Sequence, residues 1–360
     1  MKYRFFILVI VAAASHLAPA SACTGIRLKP EDGSIIYART LEFGVDLRSN
    51  VIVIPRGKDY AGTTSLNRPG LRWKTQYATT GTNAFGLPVI VDGLNEKGLA
   101  VGLFYFPGYA KYQDVIGDQV EQALAPWELA TFLLGTCTDV KEAVAAASNV
   151  RVGAVVQADF GFVPPCHYIV HDAAGQCTVL EYVGGKLVVS DNPLGVFSNA
   201  PTFDWHLTNL RNYANLTVTN VPPVELMGIR LSGFGQGNGL LGLPGDFTPP
   251  SRFVRAVAFS QSAVPAKTAR DGVLEAFHIL NQFDIPKGAV RSIENGQTHD
   301  EYTLWTSAAD LANRRYYFHT YANRQIRAVD LSRVPLDGSD VMTIPMSGEE
   351  VIEDVSGTAR

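Results

Sequence analysis

The 360-residue chain carries only four cysteines, Cys23, Cys137, Cys166 and Cys177, against 46% hydrophobic residues. So few thiols beside so much core-forming material exclude a small disulfide-stapled scaffold. No lysine or arginine block interrupts the mixture of 30 basic and 34 acidic residues. A formal charge of −4 leaves no electrostatic footprint for nucleic acid. After Ala22 no apolar run approaches the roughly 18 residues of a membrane span. Repeats at a period of about 20–50 residues are missing, which argues against solenoids and propellers. There is no HExxH and no histidine spaced with cysteine as a metal ligand pair, so no metal and no cofactor is expected. The G-x-S-x-G nucleophile elbow is missing too. "GFGQGNG" (Gly233 to Gly239) lacks the Lys-Ser/Thr of a phosphate loop and reads as a flexible glycine-rich loop. His167 and His171 lie in a strand-like stretch, and a structural role is the better reading of both.

What is present begins at the N-terminus. Lys2 and Arg4 precede the apolar run "FFILVIVAAA" (Phe5 to Ala14), and Ala20 and Ala22 occupy the −3 and −1 positions of a cleavage site. This is the pattern of a signal peptide spanning 1–22, cut after Ala22. It predicts an exported, periplasmic protein whose mature part, 23–360, is a single domain. A lipid-attachment site would need leucine or a similar residue at −3. Ala20 is there instead, so a lipidated binding protein is the rival reading and not the leading one. Export would permit disulfides, but Cys166 and Cys177 flank "HYIVHDAAGQ", which reads as a hairpin around Asp172–Gly175. Pairing His171 with Gln176 would set Cys177 opposite Val170 with Cys166 several residues away, so free thiols are expected.

Along the mature chain, "CTGIRL" and "SIIYAR" flank a Pro-Glu-Asp-Gly turn, and "VIVIP" and "LAVGLFYF" read as further strands. Helices are predicted from Pro126 to Gly135 and from Asp139 through "VKEAVAAA". Strands return at "HYIVH", "CTVLEY" and "KLVVSD". Helical patterns follow at Thr202–Tyr213, "SRFVRAVAFS" and "DGVLEAFHIL", and strands close the chain at "YTLWTS", "RRYYFHTY" and "IRAVDL". Strands and helices come in blocks without βαβ alternation, which suggests an α+β architecture of antiparallel sheets with segregated helical layers.

Cleavage after Ala22 would give Cys23 a thiol and a free α-amine on one residue. An α-amine titrates near 7.7–8.0 when unperturbed, low enough to act as a base near neutral pH. The thiol is activated further by a nearby cation, and its attack on an amide carbonyl gives a thioester that water hydrolyses. Packing in the core remains the ordinary role of a cysteine.

The residues that follow decide between them. "CTGIRL", "YARTLEFG" (Tyr37–Gly44), "NEKGLAVGLFYFPGYA" (Asn95–Ala110), "SNAPTFDWHLTNLRNY" (Ser198–Tyr213) and "GLPGDFTPPSRFVRA" (Gly242–Ala256) resemble, in order, the choloylglycine hydrolase family. That family contains conjugated bile acid hydrolases and penicillin V acylases, and some relatives act on acyl homoserine lactones. The resemblance implies a four-layer αββα sandwich of the N-terminal nucleophile hydrolase type, a homotetramer, and a small acyl amide as substrate. It further implies Cys23 as nucleophile and base, and Arg39 as the cation beside the thiolate. Glu42 stands where the family commonly has an aspartate contacting the α-amine. Asn199 matches the side-chain donor of the oxyanion hole, and Arg252 the second arginine of the site. Tyr105 replaces an asparagine that many bile salt hydrolases have in "GLNFPG". That departure, with the signal peptide and "RTLEFG", resembles the Gram-negative branch, in which penicillin V and long-chain acyl homoserine lactones are the more usual substrates. Phe43, Phe104, Tyr105 and Phe106 are the candidates for the acyl pocket, although alternate residues of one strand must face away from it.

Overall fold

The computed structural model describes residues 22–358 apart from residue 295. Of the expected signal peptide only Ala22 is among them. The rest lies outside the described residues.

Two antiparallel sheets form the centre. The first contains β1 (Ala22–Leu28) at one edge, then β2 (Ile36–Phe43), then the strands Gln297–Asp310, Arg315–Thr320 and Arg327–Asp330, with Val290–Glu294 pairing the start of the long strand. The second has eight strands, in the order Lys186–Asp191, Cys177–Val183, Cys166–His171, Ala100–Tyr105, Asp92–Asn95, Thr79–Thr82, Asn50–Ile54 and Met342–Pro345. Helices α1 (Leu129–Thr136) and α2 (Val140–Asn149) pack on the outer face of the eight-stranded sheet. Of the later helices, α3 (Phe203–Leu210) lies against α4 (Pro249–Ser262), while α4 and α5 (Ala269–Leu280) cover β1, β2 and the long strand. The result is an αββα sandwich, as expected. One apolar core fills the space between the sheets and under α4 and α5, and a second lies beneath α1 and α2.

The β1–β2 hairpin sets the position of Cys23. Its turn closes with the Gly33 N–H donating to the Pro30 carbonyl at 3.1 Å, and Asp32 Oδ1 accepts from the Ser34 N–H at 3.0 Å. Gly33 adopts φ +81°, a conformation glycine reaches without a Cβ clash. The register that follows sets Cys23 opposite Leu41, Gly25 opposite Arg39 and Ala22 opposite Glu42. Because β2 is flanked by strands on both sides and covered on both faces, every residue from Ile36 to Phe43 is buried.

Some elements differ from the sequence reading. The segment from Pro126 opens as a 3-10 turn before α1, and the helix expected over Thr202–Tyr213 ends at Leu210 and continues as a 3-10 turn. The hairpin after Cys166 pairs His171 with Cys177 rather than with Gln176. The cause is Asp172, whose Oδ1 accepts from the Ala174 and Gln176 N–H groups at 3.0 and 2.9 Å and so shapes a longer turn. Cys166 and Cys177 thus stand at opposite ends of their strands, and all four cysteines are free. The strands Thr79–Thr82 and Asp92–Asn95 are not among those the sequence predicts, because they are polar and glycine-containing. Gly81 and Gly93 face each other so closely that a Cβ on either would overlap the other strand's backbone.

Candidate active site

Cys23 is 2% exposed on the edge strand β1, in the core between the sheets. Its backbone N–H donates to Asn199 Oδ1 at 2.6 Å. Ala22 continues β1 ahead of it, so in the full-length chain this nitrogen is a peptide amide. The Asn199 side chain makes two further bonds: Oδ1 also accepts from Arg252 Nη2 at 2.7 Å, and Nδ2 donates to the Tyr105 carbonyl at 2.8 Å. Two donors on one atom and an acceptor on the other fix which end is oxygen. One Asn199 N–H is left over from these bonds. The segment carrying Asn199 is itself anchored, by Gly25 and Phe197 exchanging backbone hydrogen bonds at 2.8 and 3.0 Å and by Ser198 Oγ donating to the Cys23 carbonyl at 3.3 Å.

Arg252 lies in the first turn of α4, which Pro249 and Pro250 open. From there Nη1 donates to the Cys23 carbonyl and, at 2.8 Å, to Thr24 Oγ1, while Nε donates to the Phe247 carbonyl at 2.9 Å. Burial lowers its pKa, against the pull of the Glu42 carboxylate.

Arg39 is fully buried on the Cys23 side of β2. Its guanidinium carbon sits 3.9 Å from the centroid of the Phe104 ring, Nη1 donates to the Leu103 carbonyl at 2.6 Å, and Nη2 has no hydrogen-bond partner among the described residues. Burial opposes its charge, but Cys23, Tyr37 and Asp92 more than offset that, so its pKa lies above the ordinary value.

Glu42, paired with Ala22, alternates to the face of β2 opposite Arg39 and Leu41. It accepts from Thr303 Oγ1 at 3.1 Å. Burial pushes its carboxyl up to about 7, against the pull of the Arg252 charge. The partner of the Cys23 nitrogen in this structure is Asn199, not Glu42.

A pocket with about 670 Å³ of atom-free space opens beside Cys23 and is almost wholly apolar. Phe43 and Tyr105 line it, their rings edge to face at 5.6 Å. Phe104 and Phe106 do not, and this corrects the expectation for both. Each neighbours Tyr105 along the chain and so points to the other side of the strand. There Phe104 forms the platform under Arg39, and Phe106 stacks on His167 at 4.2 Å.

Sequence reasoning missed the rest of the wall, chiefly Phe85 and Phe160 from separate loops and Trp127 from the 3-10 turn before α1, which share no spacing. It also missed His206, whose Nε2 lies 2.8 Å from the Asn199 carbonyl and whose ring stacks on Phe253 at 4.8 Å. Burial lowers the His206 pKa to about 4, so the neutral ring donates through Nε2 to that carbonyl. Among the described residues no group of three or more His, Cys, Asp or Glu side chains is placed to hold a metal ion, and no helix is long and apolar enough to cross a membrane.

A buried thiol in the field of two buried arginines, its own backbone nitrogen held, in the lining of an apolar pocket, suits nucleophilic attack on a carbonyl attached to an apolar group. Comparison with known proteins agrees. The model of the linear amide C–N hydrolases, choloylglycine hydrolase family, matches residues 23–344. A bile salt hydrolase/transferase of Clostridium perfringens is 34% identical over 325 residues, covering 89% of this chain and 96% of that protein. A penicillin V acylase of Pectobacterium atrosepticum is 25% identical over 349 residues, 91% and 85% of the two chains. The crystal structure of a mutant of the conjugated bile acid hydrolase from Clostridium perfringens superposes with a TM-score of 0.83 at 31% identity, covering 93% of this chain and 100% of that one.

Proposed function

We propose, from the premise that this chain belongs to the choloylglycine hydrolase family of linear amide C–N hydrolases, that it is an exported N-terminal cysteine enzyme cleaving amides of a bulky apolar acyl group. The observation that carries this reading is the Cys23–Asn199–Arg252 cluster at the end of the apolar pocket. Removal of residues 1–22 would turn the Cys23 nitrogen into an amine at the position where Asn199 Oδ1 already accepts from it. That hydrogen bond orients the amine, whose lone pair takes the thiol proton. Sγ then attacks the substrate carbonyl carbon, and the remaining Asn199 N–H is available to the developing oxyanion. The C–N bond breaks as the Cys23 ammonium returns its proton to the leaving amine. Water, deprotonated by the same amine, hydrolyses the thioester. Arg39 Nη2 supplies a positive charge for the thiolate.

Conjugated bile acids are the leading substrates. The bile salt hydrolase is the more similar relative, 34% identical against 25% for the penicillin V acylase, which reverses the order the sequence alone suggested. A steroid nucleus is also an apolar group, which matches the apolar lining beside Cys23. Penicillin V or a long-chain acyl homoserine lactone is the second reading, favoured by Tyr105 and the aromatic wall of Phe43, Phe85 and Phe160. Hydrolysis of glycodeoxycholate, penicillin V and a long-chain acyl homoserine lactone by the processed protein decides among them, with kcat/KM highest for glycodeoxycholate. Cys23→Ser is expected to lose at least about a thousandfold in kcat, and full activity in that variant would end the mechanism. The intact mass of the mature protein is expected to begin at an unmodified Cys23, whereas a diacylglyceryl addition would make it a tethered binding protein. A homotetramer is the expected assembly, and the exposed Met227 and Phe234 on the arm around the hairpin Val224–Leu226 and Ile229–Leu231 favour self-association of some kind. Light scattering during gel filtration measures it.

A further inference from the structure

Between the sheets, behind Arg39, lies a carboxylate that the mechanism above does not use. Asp92 is 0% exposed. Its Oδ1 accepts from the Tyr37 hydroxyl at 2.9 Å, and its Oδ2 from Ser307 Oγ at 2.7 Å and the Tyr316 hydroxyl at 2.8 Å. Arg39 Nη1 is 3.9 Å from Oδ1. The Tyr316 oxygen is also 2.8 Å from Thr82 Oγ1. The group therefore joins β2, the long strand and the Tyr316 strand of one sheet to the Asp92 and Thr82 strands of the other. Glycine at 102 is part of the arrangement, since a Cβ there would overlap the Tyr37 hydroxyl and come within 3.1 Å of Asp92 Oδ1. Three hydroxyl donors and a guanidinium suit an ionised acceptor. Burial, and next the Asp92 charge, raise both tyrosine pKa values well above the usual range, which keeps them as donors.

Resting on the reading of Cys23 as the nucleophile, we propose that Asp92 is a positioning residue that sets, through Arg39, how strongly the site favours the Cys23 thiolate. The Arg39 charge is shared between two anions, Asp92 behind it and the thiolate in front, and the three hydroxyls spread the Asp92 charge so that part of the guanidinium field remains for sulfur. Around Asp92 the titratable and charged groups are Tyr37 and Arg39 from β2 and Tyr316 from its strand, with His171 stacked on Tyr37 at 4.7 Å. Facing Cys23 are Arg39 from β2, Arg252 from α4, and Cys166 and Tyr105 at the pocket wall, while Glu42, on the other face of β2, acts on Arg252.

The test is the pH dependence of Cys23 alkylation by iodoacetamide in the processed protein, read by peptide mass spectrometry beside the pH profile of kcat/KM. Asp92→Asn keeps the shape and removes the negative charge, so Arg39 acts on the thiolate alone. Both profiles should move to lower pH, with alkylation below the midpoint about threefold to tenfold faster, equivalent to about half to one pH unit. Tyr316→Phe instead removes one O–H dipole that offsets the carboxylate, and should move both profiles to higher pH by a smaller amount. It also decides the matter alone if Asp92→Asn does not fold. In an Arg39→Met background, Asp92→Asn should shift nothing further, because the intermediary is gone. Unchanged profiles in both single variants, or shifts of both in the same direction, overturn the proposal. Retained hydrolysis by Cys23→Ser would instead overturn the mechanism on which it rests, so the two failures are distinct.

Discussion

Asn199 is the residue on which most of the site converges, because one amide joins the Cys23 nitrogen, the Arg252 guanidinium and the Tyr105 carbonyl. Asn199→Ala should lower kcat by about 10²–10³ with a smaller change in KM, since the Asn199 side chain is not part of the apolar wall proposed to take the acyl group. It should also lower the melting temperature, because it strips one partner from a fully buried arginine. Steady-state kinetics on the processed enzyme with a thermal melt reads both. The motifs single out Cys23, Arg39, Asn199 and Arg252, and the fold brings these four together. Asp92 and His206 were not legible as site residues, since each touches the site only through a contact between distant segments.

Elements divide by which face of the sandwich they cover. The α4 helix delivers Arg252, so changes to its first turn reach the chemistry. On the far side, α2 packs outside the eight-stranded sheet and only supports it. Asp139 caps α2 by accepting from the Glu142 N–H at 2.8 Å. Asp139→Ala should therefore destabilise the protein by about 1 kcal/mol in urea titration while leaving kcat/KM unchanged. Helices and apolar strands were readable because their patterns are local. The strands Thr79–Thr82 and Asp92–Asn95 were hidden because their polar and glycine residues are explained only by the neighbouring strand and the buried hydroxyl cluster.

The pH response belongs to the whole molecule. Burial lowers the pKa of His171 well below its usual value, and those of His206 and His319 to about 4. Between about pH 6.5 and 4 the unfolded chain takes up these protons and the folded one does not, so stability falls as pH falls. Burial also raises Glu42 to about 7 and raises Glu128, and these oppose the trend, because their neutral folded forms favour folding at lower pH. Within the His167–Glu181 pair, joined at 3.2 Å, burial lowers the histidine and raises the carboxyl, so the two contributions cancel. The three imidazoles outnumber the two carboxyls, so on balance the chain takes up protons on unfolding in this range. Urea midpoints should then fall on going from pH 6.5 to 5, with unfolding linked to net proton uptake. A profile rising towards acid would contradict this balance.

The sequence by itself determined the family, through motifs met in order along the chain, and the resemblance carried the αββα layering with it, while the block order of strands and helices reached only an α+β class of antiparallel sheets. Only the tertiary structure decided which aromatic side chains face the pocket. Strand alternation places Tyr105 and Phe43 at its wall and turns Phe104 and Phe106 to the other side, and no composition records that choice. It likewise decided that the Cys23 nitrogen is held by Asn199, and that Arg39 is backed by Asp92. Those contacts join segments far apart in sequence, and they exist because two sheets and their helical layers close over one buried, charge-balanced centre.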